Sequence, residues 1–242
     1  MTVRCPQCGE FGEAGTGCPS CGTPLSDPDE PAGSLGNSGI GNPWDRREEI
    51  GALRAYGQTL RSILLSPKLF FAALEGSRTL WGPFLFGFAT SLVGSLFNLG
   101  WQVVFFQRNW LLQTLFSESG VSMETAVPVL VLMLPFLVAA QLFVLAAILH
   151  LMVAILARGG RGFGATFEVV CYSTAPDVLL ILPYCGGIVA MLWALWVAIV
   201  GLREVHRISG ASAALAVLLP LLFCAGILVT AIFLASSVIL AP

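Results

Sequence analysis

Apolar residues run along this chain in long stretches separated by short polar breaks, and the stretches are too long for a soluble core. Crossing about 30 Å of hydrocarbon takes about 20 mostly apolar residues. Five stretches approach that length: residues 83–106, 127–157, 165–182, 187–202 and 213–240. The second is long enough to tilt or protrude, and Pro128 and Pro135 predict a kink near its start. The third contains Glu168, Pro176 and Asp177, and only the turn at 183–187 separates it from the short fourth. Ahead of the spans, Ile50, Leu53, Tyr56, Leu60, Ile63 and Leu64 share one helical face, flanked by Arg54 and Arg61, with Gln58, Thr59 and Ser62 opposite. This predicts a helix lying in the membrane interface with its arginines at the headgroups, although a soluble helix docked on a protein has the same pattern. Ser66 and Pro67 then predict a capped restart and a short helix over residues 68–74. The expected fold is an all-α polytopic membrane bundle of about five spans within residues 76–242, preceded by amphipathic juxtamembrane helices over 45–75.

Composition sharpens this. The chain is 56% hydrophobic and 11% charged, well below the quarter or so of charged residues in a soluble domain. A net charge of −2 gives no reason to expect a nucleic-acid partner. Residues 1–45 carry no apolar stretch of the kind a signal peptide needs, so the N-terminus is expected on the cytoplasmic side. Basic residues agree with that orientation. Arg4, Arg46, Arg47, Arg54, Arg61, Lys68 and Arg78 precede the first span, Arg158 and Arg161 follow the second, and Arg203 and Arg207 follow the fourth, leaving Arg108 alone outside. With five spans the C-terminus lies outside. A re-entrant hairpin of the third and fourth stretches gives the same charge count, and full crossing is favoured because both arms of a hairpin would need burial in protein.

The polar N-terminal part divides in two. Residues 26–44 are rich in Gly, Pro, Ser and Asp and read as a flexible linker. Residues 1–25 hold Cys5-Pro6-Gln7-Cys8-Gly9 and Cys18-Pro19-Ser20-Cys21-Gly22. Two residues between cysteines let both thiolates reach one ion, and two such knuckles complete a tetrahedral four-thiolate site. Structural Zn²⁺ is the expected occupant of Cys5, Cys8, Cys18 and Cys21, with iron as the rival. A closed four-cysteine site leaves no open coordination position, so its role is structural or in protein recognition. In 25 residues with almost no core, the metal supplies most of the folding energy. The module resembles the short zinc ribbons at the N-termini of many bacterial membrane proteins, with Gly17 where those often carry an aromatic.

Within the spans, Gly87, Ser91, Ser95, Asn98 and Gln102 form a small and polar stripe that reads as a helix-packing seam, with a pore lining as the sharper alternative. His150, Glu168 and Asp177 are the titratable groups nearest the membrane interior. Glu168 is expected near the cytoplasmic face, within reach of headgroups or Arg161, and nine residues separate it from Asp177, so the two carboxylates point to opposite faces of an ideal helix. No protease, hydrolase or nucleotide-binding signature is present, and no enzyme is expected.

Three segments carry a family resemblance: Leu64-Leu65-Ser66-Pro67-Lys68-Leu69-Phe70-Phe71, Gly164-Ala165-Thr166-Phe167 leading into Tyr172-Ser173-Thr174-Ala175-Pro176, and Gly201-Leu202-Arg203-Glu204-Val205-His206. With five spans and a cytoplasmic N-terminus, residues 50–240 resemble the Yip family, named for interaction with Ypt/Rab GTPases, in its prokaryotic branch. The eukaryotic resemblance implies trafficking factors that bind prenylated Rab GTPases and shape membranes. One lysine against eleven arginines suits a GC-rich bacterial genome, a bacterium lacks such GTPases, and a bacterial inner membrane is the expected location. The expected function is that of a non-enzymatic adaptor or membrane-organising scaffold. Its partners are the bilayer and a cytoplasmic protein recruited by the ribbon, and a homo-oligomer is compatible with it. The alternative is a small transporter or channel using Asp177 and His150.

Overall fold

The structure, a computed structural model, describes residues 2–4, 11–13, 42–74, 79–105, 122–156 and 160–239. The chain forms two compact units, Met1–Gly41 and Asn42–Pro242. In the first, strands β1 (Thr2–Arg4) and β2 (Phe11–Glu13) pair antiparallel with Arg4 opposite Phe11. The sequence between them contains Cys5 and Cys8, and all four expected metal ligands lie outside the described residues.

In the second unit a 3-10 turn at Pro43–Arg46 leads into α1 (Arg47–Ile50), α2 (Ala52–Leu65) and α3 (Pro67–Ala72). Gly51, at φ 88°, breaks α1 from α2 in a backbone conformation that glycine adopts without strain. Pro67 opens α3, where its missing N–H costs nothing. Then come α4 (Trp81–Val104), α5 (Met123–Leu156), α6 (Phe163–Ser173), a 3-10 segment at Ala175–Ile181, α7 (Gly186–His206) and α8 (Gly210–Ile239). Four of these, α4, α5, α7 and α8, are long and apolar enough to cross a membrane. Helix α5, with Pro128 and Pro135 inside it, is about 50 Å long and overreaches the hydrocarbon.

The third expected span is not one helix. It ends as α-helix at Ser173 and continues as 3-10 through Pro176, whose ring and missing N–H interrupt the α ladder. Its path is nonetheless fixed along α4. A methyl group at Gly87 would lie 2.9 Å from Cys171 Cα, and one at Gly94 would lie 2.6 Å from the Asp177 carbonyl oxygen. Trp101 Nε1 donates to the Ile181 carbonyl at 3.2 Å, and the Phe105 and Tyr184 rings meet at 4.5 Å. The broken segment therefore runs parallel to α4 in step with it, and α7 returns antiparallel, with Gly201 backed onto Val169 and Phe71.

These contacts define two ends of the bundle. The near end holds α1–α3, residues 160–162 and the turn at Arg207–Ser209; the far end holds Phe105, Ser122 and Tyr184. The core lies toward the near end. Among the described residues, those buried on α5 are Val138, Leu142, Ala146, Leu149 and Val153, and those buried on α8 are Ala213, Ala216 and Val217. Toward the far end Val104, Leu132, Phe136, Leu222 and Phe223 stand exposed, each more than three-fifths open.

Candidate functional site

The side-chain chemistry of the described residues gathers at the near end in three groups. The first is a clasp at the start of the bundle. Asn42, at the edge of the expected linker, is buried, and its Oδ1 accepts from Trp44 N–H at 3.1 Å and from the Thr59 hydroxyl at 3.3 Å. Its amide nitrogen donates to the Tyr172 hydroxyl oxygen. The carboxyl of Asp45 is also hydrogen-bonded to Asn42 and is raised above its ordinary range by desolvation, which outweighs the opposing pull of Arg47 and of that bond. Both donors and both acceptor positions of the amide are thus in use. Trp44 Nε1 donates to the Gly82 carbonyl at 2.6 Å, and its ring packs edge-on to Tyr56 and Phe86. Residues 42–44 therefore belong to the bundle and not to the linker expected to run through residue 44.

The second group is α2. It buries Ala55, Thr59 and Ile63 against the bundle, and Tyr56 shares a hydrogen bond with Thr90 at 3.0 Å. Thr59, expected on the outward polar face, is fully buried because its hydroxyl has Asn42 to bond. The packed face keeps most of the apolar stripe seen in the sequence, with Ile63 buried and Ile50, Tyr56, Leu60 and Leu64 packed against the core, and widens to take in Ala55 and Thr59. Leu53 is left 90% exposed, and Arg54 and Arg61 are exposed beside it. Helix α2 is neither a free interfacial helix nor one consumed by protein packing: one face is docked and the next is open.

The third group joins α5, α6, α7 and the residues before α6. Thr166 Oγ1 lies 2.9 Å from His150 Nδ1 and 3.0 Å from His206 Nε2, and the Arg161 backbone N–H donates to His206 Nδ1 at 3.1 Å. The Arg161 guanidinium reaches the Leu74 carbonyl at 3.3 Å. In the sequence His206 figured only as the last residue of a family-resemblance segment, because nothing local to it signals the partners at 161 and 166. Glu168, expected near the cytoplasmic face within reach of headgroups or Arg161, is buried inside the bundle and so turned from the headgroups, since α6 is enclosed by α4, α5 and α7.

Asp177 stands apart from all three groups. It accepts from the Ser91 hydroxyl at 2.7 Å, across the close approach at Gly94. His150 touches Thr166, eleven residues before Asp177 and about 16 Å or more along the segment, so the two residues of the expected transport pair do not meet. The stripe on α4 is a packing seam in its first half, where Gly87 and Ser91 are buried, while Asn98 and Gln102 emerge exposed.

A protein-family model, the Yip1 domain, matches residues 61–233. No curated protein matches the chain. No solved structure matches it either. The chain belongs to the Yip1 domain family, and with its four long apolar helices it is an integral membrane protein.

Proposed function

As a member of the Yip1 domain family, in general a family of non-enzymatic membrane proteins, the chain is, we propose, an adaptor and membrane-organising scaffold whose near end faces the cytoplasm. The observation that carries this reading is the fixed seat of α2. An amphipathic helix already docked on the bundle through Ala55, Thr59 and Ile63 presents Leu53, Arg54 and Arg61 outward, apolar and basic side by side, without folding cost at the time of binding. Orientation is supported by charge: among the described residues of the second unit, Arg46, Arg47, Arg54, Arg61, Lys68, Arg161, Arg203 and Arg207 all lie at the near end. Five crossings are supported by the parallel course of residues 171–184 along α4, which accompanies a spanning helix over its length where a re-entrant loop would turn back. That gives a cytoplasmic N-terminus and an external C-terminus. The prokaryotic branch of the family and a bacterial inner membrane are part of the same proposal.

The depth of α2 tests the reading. A fluorescent amino acid at Leu53 of the full chain in vesicles of anionic lipid should be quenched by lipids brominated near the headgroup. Emission like that in water, untouched by those lipids, would overturn it.

The N-terminal unit is proposed as the recruiting end, with Zn²⁺ held by Cys5, Cys8, Cys18 and Cys21. The support is the doubled knuckle and the β1–β2 pairing on either side of the stretch that contains Cys5 and Cys8. Purified protein is expected to carry about one zinc per chain, and Cys8→Ser to lose it while the bundle melts unchanged. Equal zinc in the variant, by elemental analysis, removes the assignment. Because Asn42 and Trp44 are structural, a chain lacking residues 1–41 is the proper comparison when partners are captured from detergent.

A further inference from the structure

The three hydrogen bonds around Thr166 run in one direction, and that direction carries chemical information. A backbone N–H can only donate, so His206 Nδ1, which receives the Arg161 amide proton, carries no proton of its own. A neutral ring then has its proton on Nε2, which donates to Thr166 Oγ1. The threonine hydroxyl is left to donate onward to His150 Nδ1, which is therefore also unprotonated. The chain from Arg161 through His206 and Thr166 to His150 is complete only when both rings are neutral.

We propose that this chain is a proton-operated latch that fastens residues 160–162 and the start of α6 to the end of α7, closed near neutral pH and released in acid. The two histidines are not equivalent. A proton added to His150 Nδ1 meets a hydroxyl oxygen that has a second lone pair to offer, and the bond reverses with the loss of one partner for the hydroxyl proton. A proton added to His206 Nδ1 faces the Arg161 N–H, donor against donor, and the contact has to open. His206 is the trigger and His150 the softer end.

The surroundings make opening specific. Thr166 is fully buried and His206 is 5% exposed, so the ring side of the bond is dry, while residues 160–162 are exposed and can swing into water once the bond is lost. A methyl group at Gly160 would lie 3.0 Å from His206 Nδ1, so the backbone is pressed onto the ring. Among the described residues, the charges on the elements that carry the latch and on α3 beside it are Arg161 before α6, Lys68 on α3, Glu168 on α6, and Arg203, Glu204 and Arg207 on α7, while Asp45, Arg46, Arg47, Glu48, Glu49, Arg54 and Arg61 belong to the layer before α3. The Nδ1 atoms that would take an added proton face the Thr166 hydroxyl in His150 and the Arg161 N–H in His206. Arg161 also spans to the Leu74 carbonyl just after α3, so release at His206 loosens the hold on the amphipathic layer too.

The Arg161 amide is its own reporter. Hydrogen exchange of the full chain in nanodiscs, corrected for intrinsic rates, should show that amide protected at pH 7.5. At pH 5.5, below the ordinary histidine range, it should lose protection by about tenfold, the most that one proton on His206 can supply over this interval. His206→Gln, whose side-chain oxygen and nitrogen mimic the neutral ring, should keep protection at both values. His150→Gln should retain the pH response with smaller amplitude. Should a variant fail to fold, ¹⁵N spectra of the wild-type rings decide: at pH 7.5 His206 should show a bare Nδ1 and a protonated Nε2. Protection equal at both pH values, an identical response in His206→Gln, or a protonated Nδ1 at pH 7.5 would each overturn the latch.

Discussion

The two ends of the bundle are made of similarly apolar helices and are held together by different physics. At the near end Phe86, Phe167, Val169, Tyr172, Val197 and Leu202 are buried, and the polar groups among them, Asn42, Thr59 and Thr166, have partners from distant parts of the chain. Toward the far end Leu132 and Phe136 of α5 stand exposed, as do Leu222 and Phe223 in the middle of α8. Where water is within reach, burying apolar surface drives packing. In hydrocarbon that drive vanishes, and helices associate only through close fit and hydrogen bonds. The near end is thus the part that folds like a soluble protein, and the far end is shaped by lipid.

Substitutions paired across the two ends put that contrast at risk. The largest difference is expected between Trp44→Ala and Phe223→Ala. Trp44 is 8% exposed and tied to Gly82, so its loss should cost about 3–5 kcal/mol. Phe223 is 68% exposed, and its truncation should stay within about 0.5 kcal/mol. Equal melting temperatures for the two variants in detergent would dissolve the distinction. Next, Gly87→Val drives a side chain into the Cys171 backbone and should cost about 1–3 kcal/mol or more, whereas Gly100→Val meets nothing within 4 Å and should be nearly silent. Asn42→Ala leaves Trp44 N–H, Thr59 and Tyr172 short of a partner, for about 1–3 kcal/mol by denaturant titration. The smallest effect is expected at Ser91→Ala, which removes the Asp177 bond within the membrane for about 0.6 kcal/mol. A large loss there would mean that Asp177 carries more than packing, and would revive a transport role.

Hydropathy located the long helices well, since a spanning helix is defined by length and apolarity alone: residues 83–106 became Trp81–Val104 and 213–240 became Gly210–Ile239. It was blind where apolar character does not distinguish lipid from protein. On α2, Leu53 is left open while Thr59 is buried, the reverse of what the periodicity of the helix predicts, because each position is decided by the partner it meets and the pattern of one helix does not contain the partner. Asn42 looked like linker because its hydrogen-bond partner Tyr172 lies 130 residues on. The histidine pair was half legible: His150 stood out as an ionisable group within an apolar run, but its link to His206 passes through a threonine that periodicity treats as filler. Asp177 was legible as unusual, and the distance that separates it from His150 was not.

The broken third segment also bears on how the chain enters the membrane. On the five-crossing reading, residues 163–181 must leave the insertion machinery with Pro176 and Asp177 in their last third, opposite Gly94 near the middle of α4, and an aspartate at the centre of a span disfavours insertion by about 2.5–3.5 kcal/mol. Alone, this segment is a poor candidate to stay in lipid. Its carboxylate finds Ser91 only on α4, and its backbone finds cover only where Gly87 and Gly94 leave room. Synthesis delivers α4 first, and α7 follows after a four-residue connection, Leu182 to Cys185. The order of elements along the chain is therefore also an assembly order, in which α4 waits in the bilayer as the receptor for a passenger that α7 pulls in behind it.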